Sequence, residues 1–203
     1  MGRITSIIGI TGRISAGKDT VSKIIISEYG YHEINVDKIG HIALYEKQKQ
    51  IVKVFGEQIL NNKNEIERLK IRKIVFNDKK KLQNLEAITH PFIQKEVERI
   101  ILKNKFDKII INAALLFKLD LEQFCRYIFV IKASDSVIKT RLKIKRNLED
   151  NLIMKILNQQ KCIFFNKNTL NLKIINIINN KSYSYLKKKI KTKMKEVINE
   201  RFE

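Results

Sequence analysis

The sequence is poor in the residues that define several classes of protein. It contains no tryptophan, a single proline at Pro91, and only two cysteines, Cys125 and Cys162, among 203 residues. Two cysteines so far apart do not build a disulfide framework or a zinc site. No apolar run reaches the roughly eighteen residues that suggest a membrane-spanning helix. The length fits one domain with a sizeable core, and because no secretory leader is recognisable, we expect a cytoplasmic protein.

Acidic residues are also scarce. The sequence contains 41 lysines and arginines but only 21 aspartates and glutamates, so its formal net charge is +20. Such a charge is compatible with a nucleic-acid or anionic-membrane partner. The cations are spread along the chain, however, apart from two runs at 139–146 and 186–195. No aromatic-interleaved motif for base recognition accompanies them. We therefore favour a compositional bias with a local need to bind polyphosphate, and expect no specific nucleic-acid or membrane partner.

Short apolar, β-branched segments alternate with segments of helical periodicity along the chain. The predicted strands cover 3–10, 31–36, 107–117, 126–133 and 172–180. Helices are predicted between them, including 65–76 and 80–104, with the second interrupted at Pro91, and a terminal helix follows the last strand. This order predicts an α/β fold in which helices cover both faces of a parallel sheet.

The segment "GITGRISAGKDT", residues 9–20, is close to a phosphate-binding loop. The consensus requires a glycine, four residues, then glycine, lysine and a hydroxyl residue. Gly12, Gly17 and Lys18 match it, and the segment lies between a predicted buried strand and a predicted helix. In that context backbone N–H groups bind phosphate oxygens at the helix N-terminus, and the lysine reaches the outer phosphates. The alternative, a glycine-rich turn with a surface lysine, is disfavoured by this position.

Asp19 stands where the consensus has the magnesium-binding hydroxyl, and three roles are open to it. Its carboxylate can bind Mg²⁺ directly, since that cation prefers oxygen ligands. The hydroxyl of Thr20 can act instead, although one residue of helix turns it away by about 100°. Asp19 can also serve only as a favourable negative charge in the first helical turn. We favour direct coordination.

Three further regions carry candidate functional groups. Asp37 follows the second predicted strand, where it can accept the proton of a substrate hydroxyl or cap the next helix. Arg141 and Lys145 share one face of a predicted helix, where they can neutralise phosphate charge or form a solvated basic face. His90 can bind a ligand, although a lone histidine beside Pro91 is more often structural.

With these residues considered together, the chain resembles the dephospho-coenzyme A kinase family along nearly its whole length. The loop at 9–20 is similar to that family's phosphate loop, and "INVDKIGH" is similar to its Asp-x-Asp segment, with Asp37 on the second aspartate. The most specific similarity is the order of Phe-Gly, Arg, Val-Phe and His-Pro in "FGEQILNNKNEIERLKIRKIVFND" and "LEAITHPFI".

Later segments extend the resemblance. "ALLF" is similar to the family's Pro-Leu-Leu-Phe strand end, "IINN" matches its last strand, and Arg141 matches its lid arginine. The second lid arginine corresponds to Lys145 or, with a one-residue shift, to Arg146. The sequence departs from the family pattern at Asp19 and at four further positions: Asn35, His41, Ala114 and Lys118.

The resemblance implies that the γ-phosphate of ATP is transferred to the ribose 3′-hydroxyl of dephospho-CoA with Mg²⁺ as cofactor, the last step of CoA synthesis. It implies a phosphate-loop core at about 1–40, 105–135 and 170–203, a helical substrate-binding insert at about 41–104, and a short lid at about 139–160. The architecture it implies is thus a phosphate-loop, three-layer α/β/α fold.

The resemblance also implies site residues. The catalytic residues are Asp37, Lys18 and Arg141. The ATP-binding residues are Gly12, Arg13, Ile14, Ser15, Ala16, Gly17, Lys18, Asp19, Thr20, Arg141 and Lys145. The substrate-binding residues are Asp37, His90, Pro91, Leu115 and Leu116. Asp19 or Thr20 binds Mg²⁺.

Two other functions remain open at this point. Another phosphate-loop kinase, such as a nucleoside monophosphate kinase, can also contain Gly-Lys-Asp, but the segment from Phe-Gly to His-Pro argues against it. The other is a degenerate, non-catalytic module that binds polyanions. For such a module we expect tight binding to polyanions, an affinity that falls steeply as salt increases, and no turnover.

Overall fold

The computed structural model describes residues 6–76, 78–103, 106–146, 149–160 and 172–199. The start of the first predicted strand, Cys162 and the side chains of Lys145 and Arg146 lie outside this part of the chain. The chain divides into two compact units, one formed by Met1–Asn35 with Lys105–Glu203 and the other by Val36–Asn104.

A five-stranded sheet forms the centre of the first unit. Its strands are β1 (Ser6–Gly12), β2 (His32–Asn35), β3 (Lys108–Asn112), β4 (Tyr127–Lys132) and β5 (Lys173–Ile178). They lie in the order β2–β3–β1–β4–β5, and every pairing between them is parallel. The α/β fold with a parallel sheet that the sequence predicts is therefore confirmed.

Helices connect and cover these strands. Within the described ranges they are α1 (Lys18–Tyr29), α2 (Val36–Glu46), α3 (Gln48–Phe55), α4 (Arg68–Phe76), α5 (Lys79–Lys103), α6 (Asp135–Arg146), α7 (Asp150–Gln159) and α8 (Tyr183–Asn199). Short 3-10 turns cover Glu57–Ile59 and Leu121–Phe124. In those same ranges, no helix combines the length and apolarity that crossing a bilayer requires.

Both faces of the central strand are covered. All seven residues of β1 are buried, although successive side chains of a strand point to opposite faces. Four residues of β3 and five of β4 are buried as well. Continuously apolar strands of this kind are typical of parallel sheets enclosed on both sides. The burial of β1 consequently fixes the position of the segment that follows it.

Hydrogen bonds define the end of α1 and the start of α6. Gly30 ends α1 with a φ of 68°, and its N–H donates to the carbonyl of Ile26 at 3.0 Å. Glycine adopts this left-handed conformation without the steric penalty of a side chain. At the start of α6, the hydroxyl of Ser134 accepts a hydrogen bond from the N–H of Val137 at 3.4 Å, as an N-cap residue does.

The second unit contains α2 to α5 and has an apolar core of its own. The buried residues of this core are Ile51, Phe55, Ile59, Ile71 and Val75. The helical segment that precedes Gly56 is divided at Lys47 into α2 and α3. The helix predicted from residue 65 begins at Arg68, because Ile66 forms an isolated β-bridge with Leu60.

The predicted interruption at Pro91 is wrong, because α5 continues through it. A proline within a helix removes one N–H donor and crowds the preceding turn. Here the apolar face of α5 is buried beyond the proline at Ile93 and Val97, and before it Leu85 and Ile88 pack against the core of the second unit. Packing on both sides of Pro91 therefore holds the helix together.

Replacing Ile110 with alanine tests the central position of β3. Ile110 is fully buried, so Ile110→Ala is expected to lower the free energy of unfolding by about 2–5 kcal/mol in urea denaturation. Ile178→Ala is the matched control, because Ile178 lies in β5 with 52% of its surface exposed and its loss is expected to change the free energy by only about 0.5 kcal/mol. Equal losses in the two variants would contradict the assigned core.

Candidate phosphate-binding site

The segment between β1 and α1 emerges at the carboxyl edge of the sheet. β1 is the middle strand and pairs with β3 on one side and β4 on the other. Ligands of open parallel sheets bind at this edge. α1 begins at Lys18, and its N-cap residue, Gly17, has no side chain that can satisfy the first N–H groups of the helix. These N–H groups and the positive end of the helix dipole are suited to an anion.

The two motif glycines permit the path of this loop. Gly17 has a φ of 109°, and a Cβ at this position would lie 2.2 Å from Nδ2 of Asn179. A Cβ on Gly12 would lie 2.5 Å from the carbonyl oxygen of Ile131. Both distances are too short for a real side chain, so a larger residue at either position forces the loop or its neighbour to move.

Side chains from α6 and from the end of β5 bind the carbonyl groups of the loop. Nη1 of Arg141 donates to the carbonyls of Ser15 and Ala16, both at 3.2 Å, and Nη2 donates to the carbonyl of Asn179 at 3.0 Å. The buried side chain of Asn179 donates through Nδ2 to the carbonyl of Ala16 at 2.8 Å. Because a trans peptide directs its N–H away from its C=O, the N–H of Gly17 faces away from Arg141 and Asn179.

Burial lowers the pKa of Arg141 from its ordinary value. An arginine nevertheless remains charged at neutral pH. In this structure the guanidinium therefore acts on the loop as a charged donor to backbone carbonyls.

Three further contacts join the loop to the part of the chain that follows β4. Nη2 of Arg13 donates to the carbonyl of Ala133 at 2.9 Å and forms an ion pair with Oδ1 of Asp135 at 2.6 Å. The N–H of Ile14 donates to Oε1 of Gln160 at 2.9 Å. The loop is thus held at both its first and its last residues.

Lys18 is the residue of the loop that most directly indicates an anionic ligand. It is buried, with 8% of its surface exposed. Among the residues that the structure describes, no carboxylate pairs with its ammonium group. A buried charge without a partner is unfavourable, and an anion bound at the start of α1 would supply the missing partner.

The residues around Asp19 fit a magnesium ion. Asp19 is exposed in the first turn of α1, and its Oδ1 accepts a hydrogen bond from Nδ2 of Asn112 at 3.0 Å, while Thr20 is half-buried. Within the described ranges, no group of three or more His, Cys, Asp or Glu side chains forms a metal cage. Mg²⁺ does not require one, because it uses one or two carboxylates and completes its shell with water and substrate phosphates.

Three of the predicted acceptor-side residues, Asp37, His90 and Pro91, lie in the second unit. Asp37 is exposed in the first turn of α2, which begins at Val36 directly after β2. Asp37 is therefore not the N-cap of this helix, because an N-cap precedes the first helical residue. In α5, His90 is half-buried and Pro91 is exposed.

The remaining predicted residues differ in exposure. Leu115 is half-buried, whereas Leu116 is fully buried after β3. A Cβ on Gly9 would lie 2.9 Å from the side chain of Leu116, so this leucine packs closely against β1. In this structure Leu116 is a core residue.

Asn112, Asn179 and Gln160 contact the site but were not identified from the sequence. Asn112 and Asn179 stand at the carboxyl ends of β3 and β5, and the rule that drew attention to Asp37 applies to them equally. The third, Gln160, follows α7, far from any strand end, so nothing in the pattern of apolar residues indicated that it contacts the loop.

The parallel sheet, the loop after its central strand and the buried Lys18 are features of an α/β protein suited to bind phosphate. A family model described as dephospho-CoA kinase matches residues 6–183. A dephospho-CoA kinase of Borreliella burgdorferi is 58% identical over a 205-residue alignment that covers 100% of both chains. The chain therefore belongs to the dephospho-CoA kinase family.

Solved structures show the same fold. TT1252 from Thermus thermophilus has a TM-score of 0.77 at 22% identity, with 95% of this chain and 97% of that chain covered. The dephospho-CoA kinase from Campylobacter jejuni has a TM-score of 0.61 at 24% identity, with 96% and 98% covered.

A Gly17→Ala variant tests the loop geometry. Its Cβ would collide with Asn179, and a φ of 109° strains any residue other than glycine by about 1–3 kcal/mol. We expect ATP binding, measured by calorimetry, to weaken about tenfold or more. Gly30→Ala is the matched control: its φ of 68° is also positive, but no atom lies within 4 Å of the new Cβ. That variant is expected to be less stable with unchanged ATP affinity, and an equal effect on ATP binding would refute the assignment.

Proposed function

We propose that this protein transfers the γ-phosphate of ATP to the ribose 3′-hydroxyl of dephospho-CoA and so forms coenzyme A. The observation that carries the proposal is the environment of Lys18, which follows the loop after β1 and begins α1. Lys18 is buried, and no carboxylate among the described residues pairs with it. Similarity to dephospho-CoA kinases over residues 6–183 supports the choice of acceptor. The expected compartment is the cytoplasm, where ATP is available.

The loop provides the ATP side of the proposed reaction. N–H groups at the start of α1 and the ammonium group of Lys18 bind phosphate oxygens. Asp19, with Thr20 as the alternative, is the proposed protein ligand of Mg²⁺, which neutralises phosphate charge when it is bound. Arg141 keeps the loop carbonyls in place through its bonds to Ser15 and Ala16.

Asp37 is the proposed base on the acceptor side. The 3′-oxygen of dephospho-CoA forms a bond to the γ-phosphorus, and the bond from that phosphorus to the β–γ bridging oxygen breaks. ADP leaves, and the carboxylate of Asp37 takes the hydroxyl proton. We further propose that His90 and Pro91 in the second unit bind dephospho-CoA, that Leu115 in the first unit is also a substrate-binding residue, and that residues 139–160 form a lid that includes Lys145.

An assay of ADP formation tests the reaction. Purified protein with ATP and Mg²⁺ is expected to turn over dephospho-CoA but not nucleoside monophosphates. Lys18→Ala removes the buried cation and is expected to lower kcat about 100-fold or more. Lys23→Ala is the control, because Lys23 is an exposed lysine of the same helix. Turnover of nucleoside monophosphates alone, or an unaffected Lys18→Ala variant, would contradict the proposal.

An Asp19→Ser variant tests the proposed metal ligand. It restores the hydroxyl of the consensus loop and removes one negative charge beside the phosphates. If the Asp19 carboxylate binds the metal, the dependence of the rate on Mg²⁺ and Mn²⁺ concentration is expected to shift relative to the native protein. Identical metal titration curves would count against Asp19 as a ligand.

A further inference from the structure

Asn112 occupies an unusual position at the carboxyl end of β3. It is buried, with 2% of its surface exposed. Its Nδ2 donates to two carboxylates, to Oδ1 of Asp19 at 3.0 Å and to Oε1 of Glu33 at 2.9 Å. Its own Oδ1 is buried and has no hydrogen-bond partner. One amide group therefore joins the first turn of α1 to β2.

A fourth group extends this network into the interior. Oε1 of Glu33 also accepts a hydrogen bond from the hydroxyl of Ser22 at 2.5 Å, and Ser22 is fully buried in α1. Ser22 and Asp19 are three residues apart, so they lie on the same side of the helix. The carboxylate of Asp19 is consequently linked, through Asn112 and Glu33, to a side chain that cannot move without disturbing the core.

The two carboxylates are close enough to repel each other. Because both accept from the same Nδ2, their acceptor oxygens lie within about 6 Å, a distance at which two negative charges repel each other. A donor that serves both oxygens reduces this repulsion, and a bound cation would reduce it further. The arrangement is therefore better suited to the cation-bound protein than to the free one.

The unpaired Oδ1 of Asn112 points to a role outside folding. A buried acceptor without a partner is unfavourable by about 1–3 kcal/mol, and an apolar residue of similar size would avoid this term. Buried polar atoms without partners are uncommon in folded proteins, and those that occur call for an explanation. Packing and strand pairing do not supply one for Asn112.

We propose that Asn112 is a positioning residue of the magnesium site, which holds the Asp19 carboxylate in one orientation through the network with Glu33 and Ser22. This inference rests on the proposed role of Asp19 as metal ligand. Groups that orient a metal ligand raise affinity for the metal without touching it. Asn112 acts in that way, and the loop with Lys18 binds the nucleotide independently.

Binding of Mn²⁺, measured by electron paramagnetic resonance, tests the proposal without any turnover. The native protein and Asn112→Leu are titrated with Mn²⁺ in the presence of a non-hydrolysable ATP analogue. The leucine fills a similar volume but donates no hydrogen bond, so the Mn²⁺ affinity is expected to fall about 10- to 100-fold. Affinity for the analogue in EDTA is expected to stay within about twofold, because the loop and Lys18 are unchanged.

Controls separate positioning from structural damage. Asn176→Leu changes an exposed asparagine of β5 and is expected to leave both affinities unaltered. Asn112→Ser is the second variant; its hydroxyl is too short to bridge both carboxylates, and it is expected to weaken Mn²⁺ binding in the same direction. Melting temperatures establish that each variant is folded.

The outcomes are distinct from those of the kinase assay. Unchanged Mn²⁺ affinity in both folded variants of Asn112 would overturn the proposal. The proposal would also be overturned if affinity for the analogue in EDTA fell as much as affinity for Mn²⁺, since a merely structural role predicts that result. Failure to phosphorylate dephospho-CoA would contradict the proposed function but not this inference, because no acceptor takes part in the binding measurement.

Discussion

The parallel pairing of β1 with β3 and β4 is the constraint on which the site depends. It brings Gly12 opposite Ile131 in β4 and Ile10 opposite Asn112 in β3. The close approach to Ile131 leaves room only for glycine, so the strand register and the loop motif impose the same residue. The pairing of β4 with β5 brings Asn179 to the same edge, where its side chain binds the loop.

Lys18 at the candidate site differs from the surface lysines in its burial and in its lack of a carboxylate partner among the described residues. Most of the +20 net charge comes from lysines and arginines spread along the chain, and such residues pair with exposed carboxylates, as Lys187 and Lys191 do with Glu28. Exposed pairs of this kind add little to stability. Lys18 is buried and lacks such a partner among the described residues. The difference between these lysines is therefore one of position and burial.

Part of this site is visible in the sequence because it depends on residues close together in the chain. Gly12, Gly17 and Lys18 lie within one motif, Gly30 ends α1 locally, and Ser134 caps α6 locally. Pro91 shows the limit of such reasoning. Its local preference to interrupt a helix is overridden by the packing of α5 on both sides, which a local pattern does not contain.

The amino-acid sequence by itself determined the parallel α/β fold, the phosphate-loop motif and the similarity to dephospho-CoA kinases. These depend on periodicity and short-range spacing, which are properties of the chain. Only the tertiary structure decided that Arg141 binds the carbonyls of Ser15 and Ala16, and that Asn112 joins Asp19 to Glu33. These contacts connect residues far apart in the chain, and their hydrogen bonds exist only once the strands have paired in register.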